Sequence, residues 1–198
     1  MINILNLNKS KPYQNFKKIY DDAVSKNQQY IEAICISSFN KNTQQVDSRF
    51  VNLKYINDEK WIFFSNYNSK KAIDFEQHSQ ISAAIFWDKL NVQIRINAIV
   101  KKTTEEVSNK HFASRNAEKN ALAISSNQSQ SIDSYESVKK NYEKVLENKE
   151  NFLRPDYWGG YEFTPHYFEF WQGHESRLNE RIIYRKEKNE WSMNYLQP

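Results

Sequence analysis

Glycine is nearly missing from this chain: only Gly159, Gly160 and Gly173 occur in 198 residues. That scarcity excludes a Gly-x-Gly-x-x-Gly dinucleotide turn, a phosphate loop and a Gly-x-Ser-x-Gly nucleophile elbow, each of which needs glycine at fixed offsets. Cysteine is rarer still. The single Cys35, in the run Ile31-Glu32-Ala33-Ile34-Cys35-Ile36, has no intrachain disulfide partner and reads as a buried strand thiol. The four histidines, His78, His111, His166 and His174, show no i, i+4 ligand pair, so no metal site is expected. No apolar run reaches the roughly 18 residues of a membrane span, and no early run resembles a signal peptide. The expectation is a soluble, cytoplasmic protein.

Aromatic side chains are plentiful. They make up 15% of the chain, enough apolar surface to offset ordering entropy despite a mean hydropathy of −0.87. The formal charge is +4, a mild basic balance that suits an anionic ligand. Nucleic acid is not expected, because the bases are interleaved with acids. Lys139-Lys140, for example, sits among Glu136, Glu143 and Glu147 and reads as a solvated helix face.

One domain over 1–198 is expected, with an N-terminal helical segment at 1–27 and the remainder at 28–198. Phe16, Ile19, Tyr20 and Ala23 recur at helical spacing in 11–27. Strands are predicted at 30–38, 49–56, 60–65, 81–87, 91–102, 159–170, 180–186 and 190–195. Asn57-Asp58-Glu59 marks a hairpin turn. Helices are predicted at 70–78, 104–113 and 134–148, the last with Val138, Tyr142, Val145 and Leu146 on one face. The polar 115–133 stretch is compatible with a loop. The pattern is mainly β with helices (α+β), a closed or partly closed antiparallel barrel with helical additions.

Candidate chemistry is dispersed. Trp158-Gly159-Gly160-Tyr161 and Glu169-Phe170-Trp171-Gln172-Gly173 place tight backbone beside aromatic planes, followed by Arg177 and Arg181. In so glycine-poor a chain, glycine is kept for positive φ or for close approach. Together these features suggest a pocket for a flat anion. Ser69-Lys70-Lys71 opens a predicted helix, where paired lysines oppose the helix dipole unless an anion binds there. Solvated lysines are an equal reading. Arg49 and Lys54 are an odd number of residues apart on one predicted strand, so either a bulge intervenes or only one faces the pocket. Gln93 and Arg95 alternate with apolar neighbours on a strand that is either pocket-lining or outward-facing.

Taken in order, these segments resemble pyridoxamine 5′-phosphate oxidase. The matching residues include Arg49-Phe50-Val51-Asn52-Leu53-Lys54, Phe64-Ser65-Asn66, Ser69-Lys70-Lys71, Gln93-Ile94-Arg95, Phe112 with Arg115, and Gln128-Ser129. They continue through the glycine segments to Arg177-Leu178, Arg181 and the closing Trp191 … Leu196-Gln197-Pro198. The resemblance implies an FMN-binding split β-barrel that forms a homodimer with FMN at the interface. It implies that Arg49, Lys54, Lys70 and Lys71 hold the FMN phosphate and ribityl chain. Phe64, Ser65, Gln93, Gln128, Ser129, Trp171 and Arg181 would frame the rest of the cofactor. Lys54, His111, Arg115, Lys119, Arg177 and Asn179 would face the substrate, with Arg177 and Asn179 nearest the chemistry.

The implied activity lies in vitamin B6 metabolism. Pyridoxamine or pyridoxine 5′-phosphate is oxidised to pyridoxal 5′-phosphate as dioxygen becomes hydrogen peroxide. The chain departs from the family pattern at Lys70 (usually arginine), His111 (tyrosine), Lys119 (serine) and Asn179 (histidine). Two other readings therefore stand beside the first: a related FMN oxidase for a different aromatic metabolite, and a non-catalytic FMN- or pyridoxal-phosphate-binding protein.

Overall fold

The computed structural model describes residues 1–148, 152–188 and 190–198. In chain order the elements are β1 (Asn3–Leu7), α1 (Lys11–Ser25), β2 (Ala33–Asn40), β3 (Gln45–Asn52), β4 (Tyr55–Asp58), β5 (Lys60–Asn66), α2 (Lys70–Gln77), β6 (Gln80–Trp87) and β7 (Val92–Lys102). Then follow α3 (Glu105–Ser114), α4 (Ala117–Ser125), α5 (Tyr135–Leu146), β8 (Trp158–Gln172), β9 (Glu180–Glu187) and β10 (Glu190–Tyr195). The strands make one mixed sheet in the order β1-β4-β5-β8-β7-β6-β2-β3, with β9 on β8 and β10 on β9. The β1–β4 pair is parallel, and the other pairs are antiparallel.

The long β8 organises the architecture. It pairs with β7 along its length, while its other edge changes partner. Trp158–Phe163 pairs with β5, and Tyr167–Gln172 pairs with β9. The handover falls at a register shift opposite Asn97/Ala98, where Pro165 lacks a backbone donor and His166 is the extra residue. A bulge at this point bends and twists the strand, which lets one sheet curl and split.

The interior follows from alternation. Ile81, Ala83, Ile85 and Trp87 of β6 point inward, as do Val92, Ile94, Ile96, Ala98 and Val100 of β7. Helix α1 fills the remaining space with Tyr13, Phe16, Tyr20 and Ala23. The Phe16 ring lies 4.5 Å from that of Trp61 and 5.8 Å from that of Trp87, and Tyr13 meets Phe168 edge-on at 5.3 Å. Phe16 is completely buried, so truncation to alanine would cost about 3–5 kcal/mol.

Several sequence expectations are corrected. The strand predicted over 49–56 is two strands, because β3 ends at Asn52 and β4 starts at Tyr55, with Leu53 buried between them. The segment 1–27 expected to be helical begins with strand β1, and only Lys11–Ser25 is helix; the polar residues of β1 reflect an edge position on β4. Half of the 115–133 stretch is helix α4, capped by Asn116, whose side chain accepts from the Lys119 amide. None of the α5 residues is buried, so its apolar face does not join the core. Cys35 is half-buried on the outward side of β2 rather than in the core. No glycine has positive φ. Gly159 and Gly160 serve close approach instead: a Cβ at Gly159 would stand 2.1 Å from the Tyr67 hydroxyl, and one at Gly160 would stand 2.5 Å from Thr103 Oγ1. Among the described residues, no helix is long and apolar enough to cross a membrane.

Candidate functional site

The break at Leu53 borders a cavity of about 720 Å³. Because β3 stops one residue earlier, Arg49 on β3 and Lys54 beyond the break both line it. This resolves their odd spacing without a bulge. Phe64 and Ser65 from the end of β5, Lys70 and Lys71 from the start of α2, His111 and Arg115 from α3 and its C-cap, Lys119 from α4, and Gln128-Ser129 join them. Eleven of the candidate residues thus meet in one cavity.

The α2 terminus, like that of α1, lacks a side-chain cap and an acid in its first turn. Thr104, Asn116 and Ser134 cap α3, α4 and α5 through their side chains, each with an acid in the first turn. Ser69 makes no such cap on α2, whose first turn has no acid. Its hydroxyl donates to the Asn66 carbonyl (2.7 Å) and accepts from Lys71 Nζ (3.0 Å). Lys71 also donates to Ser65 Oγ at 2.9 Å. It is only 6% exposed, and among the described residues it forms no ion pair. Burial first, and Arg49 second, lower its pKa to about 8. A buried ammonium without a counter-ion is expensive, and a bound anion would offset that cost. Lys70 is exposed and pairs with Asp47 at 2.5 Å.

The opposite wall is aromatic. Phe64 stacks on His111 with centroids 3.7 Å apart and on Trp158 at 5.5 Å. The Arg115 guanidinium sits 4.4 Å from the Trp158 ring centroid, an arrangement that favours the cation. One Arg115 NH1 nitrogen is buried with no hydrogen-bond partner among the described residues, and burial lowers the group's pKa to about 10. The Tyr55 hydroxyl lies 2.8 Å from His111 Nδ1. Burial, then Arg115, Lys54 and Lys119, depress the His111 pKa to about 4, so the ring is neutral at pH 7. Gln128 Oε1 accepts from Ser65 Oγ and from the Asn66 amide, both at 3.3 Å. Lys54 pairs with Glu32 at 2.6 Å.

Five candidates lie apart from this cavity. Gln93, Trp171 and Arg181 form one cross-strand row over β7, β8 and β9, alternating with buried Ile94 and Phe170 and so facing outward. Arg181 is fixed by the buried Glu169 through Nε at 2.9 Å and NH2 at 2.7 Å, and Arg95 binds the same carboxylate at 2.9 Å. Arg177 is exposed in the β8–β9 connection with φ of 60°, not on a helix as a four-residue spacing to Arg181 would allow. Asn179 Oδ1 accepts from the His174 amide at 3.0 Å. Sequence reasoning gave no role to Asp47, Tyr55 or Glu32, which pair with the candidates, and read Trp158 only as part of the glycine motif. For Trp158 the signal was present, since it opens the glycine motif.

Residues 21–149 match the family described as pyridoxamine 5′-phosphate oxidase. Residues 158–198 match the pyridoxine 5′-phosphate oxidase C-terminal dimerisation region. Pyridoxine/pyridoxamine 5′-phosphate oxidase 1 of Hydrogenovibrio crunogenus is 34% identical over 191 residues, covering 94% of this chain and 88% of that protein. The fold is shared with PhzG from Burkholderia lata, solved in complex with tetrahydrophenazine-1-carboxylic acid. The TM-score is 0.91 at 24% identity, over 96% of this chain and 93% of that one. It is also shared with a pyridoxamine 5′-phosphate oxidase-related, FMN binding protein from Nostoc punctiforme, with a TM-score of 0.77 at 11% identity, over 92% and 97% of the two chains. With two family matches spanning most of its length and its sheet folded as a split barrel, this chain belongs to the pyridoxamine 5′-phosphate oxidase family.

Proposed function

We propose that this protein is an FMN-dependent oxidase that converts pyridoxamine or pyridoxine 5′-phosphate to pyridoxal 5′-phosphate, with dioxygen reduced to hydrogen peroxide. The observation that carries the reading is Lys71, a buried ammonium that pairs with no carboxylate among the described residues, next to Arg49 and Lys70 and across the cavity from an aromatic wall. The donor set fits FMN: basic groups for a phosphate, flat rings for packing, and the Ser65 and Gln128 side chains for polar edges. When bound, FMN supplies the redox chemistry, taking two electrons from the substrate and passing them to dioxygen. With the alcohol substrate the balance is complete; with the amine, water enters and ammonia leaves.

The protein's part is binding and orientation. Arg49, Lys70 and Lys71 hold the cofactor phosphate. Lys54, Arg115 and Lys119 attract the substrate phosphate, and neutral His111 offers a ring nitrogen without adding charge. The protein acts as a homodimer, in which Gln93, Trp171, Arg177, Asn179 and Arg181 complete the cavity of a second copy. Two facts support this: these residues face outward on one chain, and four of the five lie within the segment that matches the dimerisation region.

The test is a flavin absorption spectrum of the purified protein followed by peroxide detection with both phosphorylated vitamers. A flavin-replete protein that turns over neither would refute the assignment. The departures at His111 and Asn179 favour one second reading, an FMN oxidase for another aromatic donor. Anaerobic flavin bleaching across a donor panel separates the two.

A further inference from the structure

Asp74 is not among the residues that line the cavity. It lies on the buried side of α2, one turn after Lys70 and Lys71, and is completely buried. Its two carboxylate oxygens are used separately: Oδ2 accepts from Ser38 Oγ at 2.6 Å, and Oδ1 accepts from Asn40 Nδ2 at 2.8 Å. Ser38, itself 2% exposed, then accepts from Arg49 NH1 at 2.6 Å. A continuous chain of hydrogen bonds thus runs from α2 through β2 to the cavity-lining guanidinium on β3.

The direction of this chain is fixed by donor counting. A carboxylate only accepts and a guanidinium only donates, so the single Ser38 proton must point to Asp74 and its lone pairs to Arg49. Asn40 cannot reverse its amide without loss, because its Oδ1 already accepts from the Asn42 and Thr43 amides at 3.0 and 2.9 Å. Docking α2 does not require a carboxylate here; Ala72 and Phe75 already bury its apolar side, and a buried anion costs several kcal/mol to desolvate. Among the described residues Asp74 has no direct ion pair, and the cation it reaches through Ser38 is Arg49.

We infer that Asp74 is a positioning residue for phosphate recognition: through the Ser38 hydroxyl it sets the orientation of Arg49 and thereby the preference for FMN over riboflavin. The inference rests on the proposed FMN reading of the cavity. It differs from a general structural role in one respect, since only the phosphate-bearing flavin should feel it.

The experiment measures dissociation constants for FMN and riboflavin by quenching of flavin fluorescence. The proteins are the wild type, Ser38→Ala, Asp74→Asn, the double variant and Ser38→Thr. In Asp74→Asn the charge is lost and an NH2 group must face either the Ser38 hydroxyl, reversing that hydrogen bond, or the Asn40 amide donor, leaving two donors opposed. FMN binding is expected to weaken about tenfold in both alanine and asparagine variants, while riboflavin stays within about twofold. The double variant should be no weaker than Asp74→Asn, because members of one chain are not additive. Ser38→Thr, which keeps the hydroxyl, should restore the FMN preference. Equal weakening of both flavins, or unchanged FMN binding in Ser38→Ala, would overturn the inference even if Asp74→Asn failed to fold. A wild type with no preference for FMN would overturn the reading of the cavity itself, a distinguishable result.

Discussion

Raising the pH should weaken FMN binding through one residue, Lys71. In the free protein its pKa is lowered to about 8, by burial first and by Arg49 second. A phosphate dianion beside Nζ stabilises the ammonium, so the bound-state value must be higher. Binding above pH 8 therefore takes up a proton, and affinity falls there. One proton corresponds to about 1.4 kcal/mol per pH unit at the steepest. Between pH 7 and 9 the dissociation constant should rise about tenfold. Below about pH 6 the phosphate itself begins to protonate, so affinity should peak between these limits. Riboflavin lacks the phosphate and provides the control, with a flat profile expected from pH 7 to 9. Lys71→Arg keeps its charge throughout and should abolish the alkaline limb. Lys71 has the opposite effect on the stability of the free protein. The unfolded chain holds the proton up to the ordinary 10.5, so the contribution rises as pH climbs from about 8 to 10.5. Fluorescence titration at half-unit pH steps reads the affinity. Equal FMN and riboflavin slopes, or a limb that persists in Lys71→Arg, would refute the argument.

His111 is held at about 4 against an ordinary 6.5, so the folded chain resists protonation. Its stabilisation is complete above pH 6.5 and is lost as pH falls from 6.5 towards 4. Urea midpoints should show that loss, and His111→Tyr should flatten it. Gly159→Ala places a methyl 2.1 Å from the Tyr67 hydroxyl and 2.8 Å from Ser108 Oγ. Thermal unfolding should report about 1–3 kcal/mol of overpacking, partly relieved by adding Tyr67→Phe. Glu169→Ala removes the 2%-exposed anion that holds both Arg95 and Arg181. Denaturant unfolding should show a loss of about 3 kcal/mol, while Glu169→Gln should lose less.

The periodicities of β6 and β7 were legible because their alternation is complete, and the hairpin between β4 and β5 because Asn57-Asp58-Glu59 punctuates it. The break at Leu53 was not, since a buried leucine continues a strand pattern as readily as it ends one. Strand β1 was hidden because its place in the sheet comes from pairing with β4, far along the chain, while its own residues stay largely exposed. Ser69-Lys70-Lys71 hinted at the basic side of the cavity, because paired lysines oppose the helix dipole, although solvated lysines were an equal reading. The carboxylates that answer those charges, Asp47, Asp74 and Glu32, could not. An acid in a charged chain announces no partner until the fold supplies one. The separation of Trp171 and Arg181 from the cavity within one copy was equally invisible, because it follows from strand pairing that brings Gln93, Trp171 and Arg181 into one outward row.

The aromatic rings of α1 occupy the inside of the barrel, and this has an evolutionary consequence. Tyr13, Phe16 and Tyr20 fill that interior, and the cavity described above opens instead at strand ends and helix starts. On the proposed reading of the cavity, residues that maintain the barrel interior and residues that choose the ligand are almost disjoint sets. Substitutions at Lys119 or Asn179 would then retune chemistry without disturbing the packed interior. The scaffold can drift towards a new substrate while its folding problem stays solved.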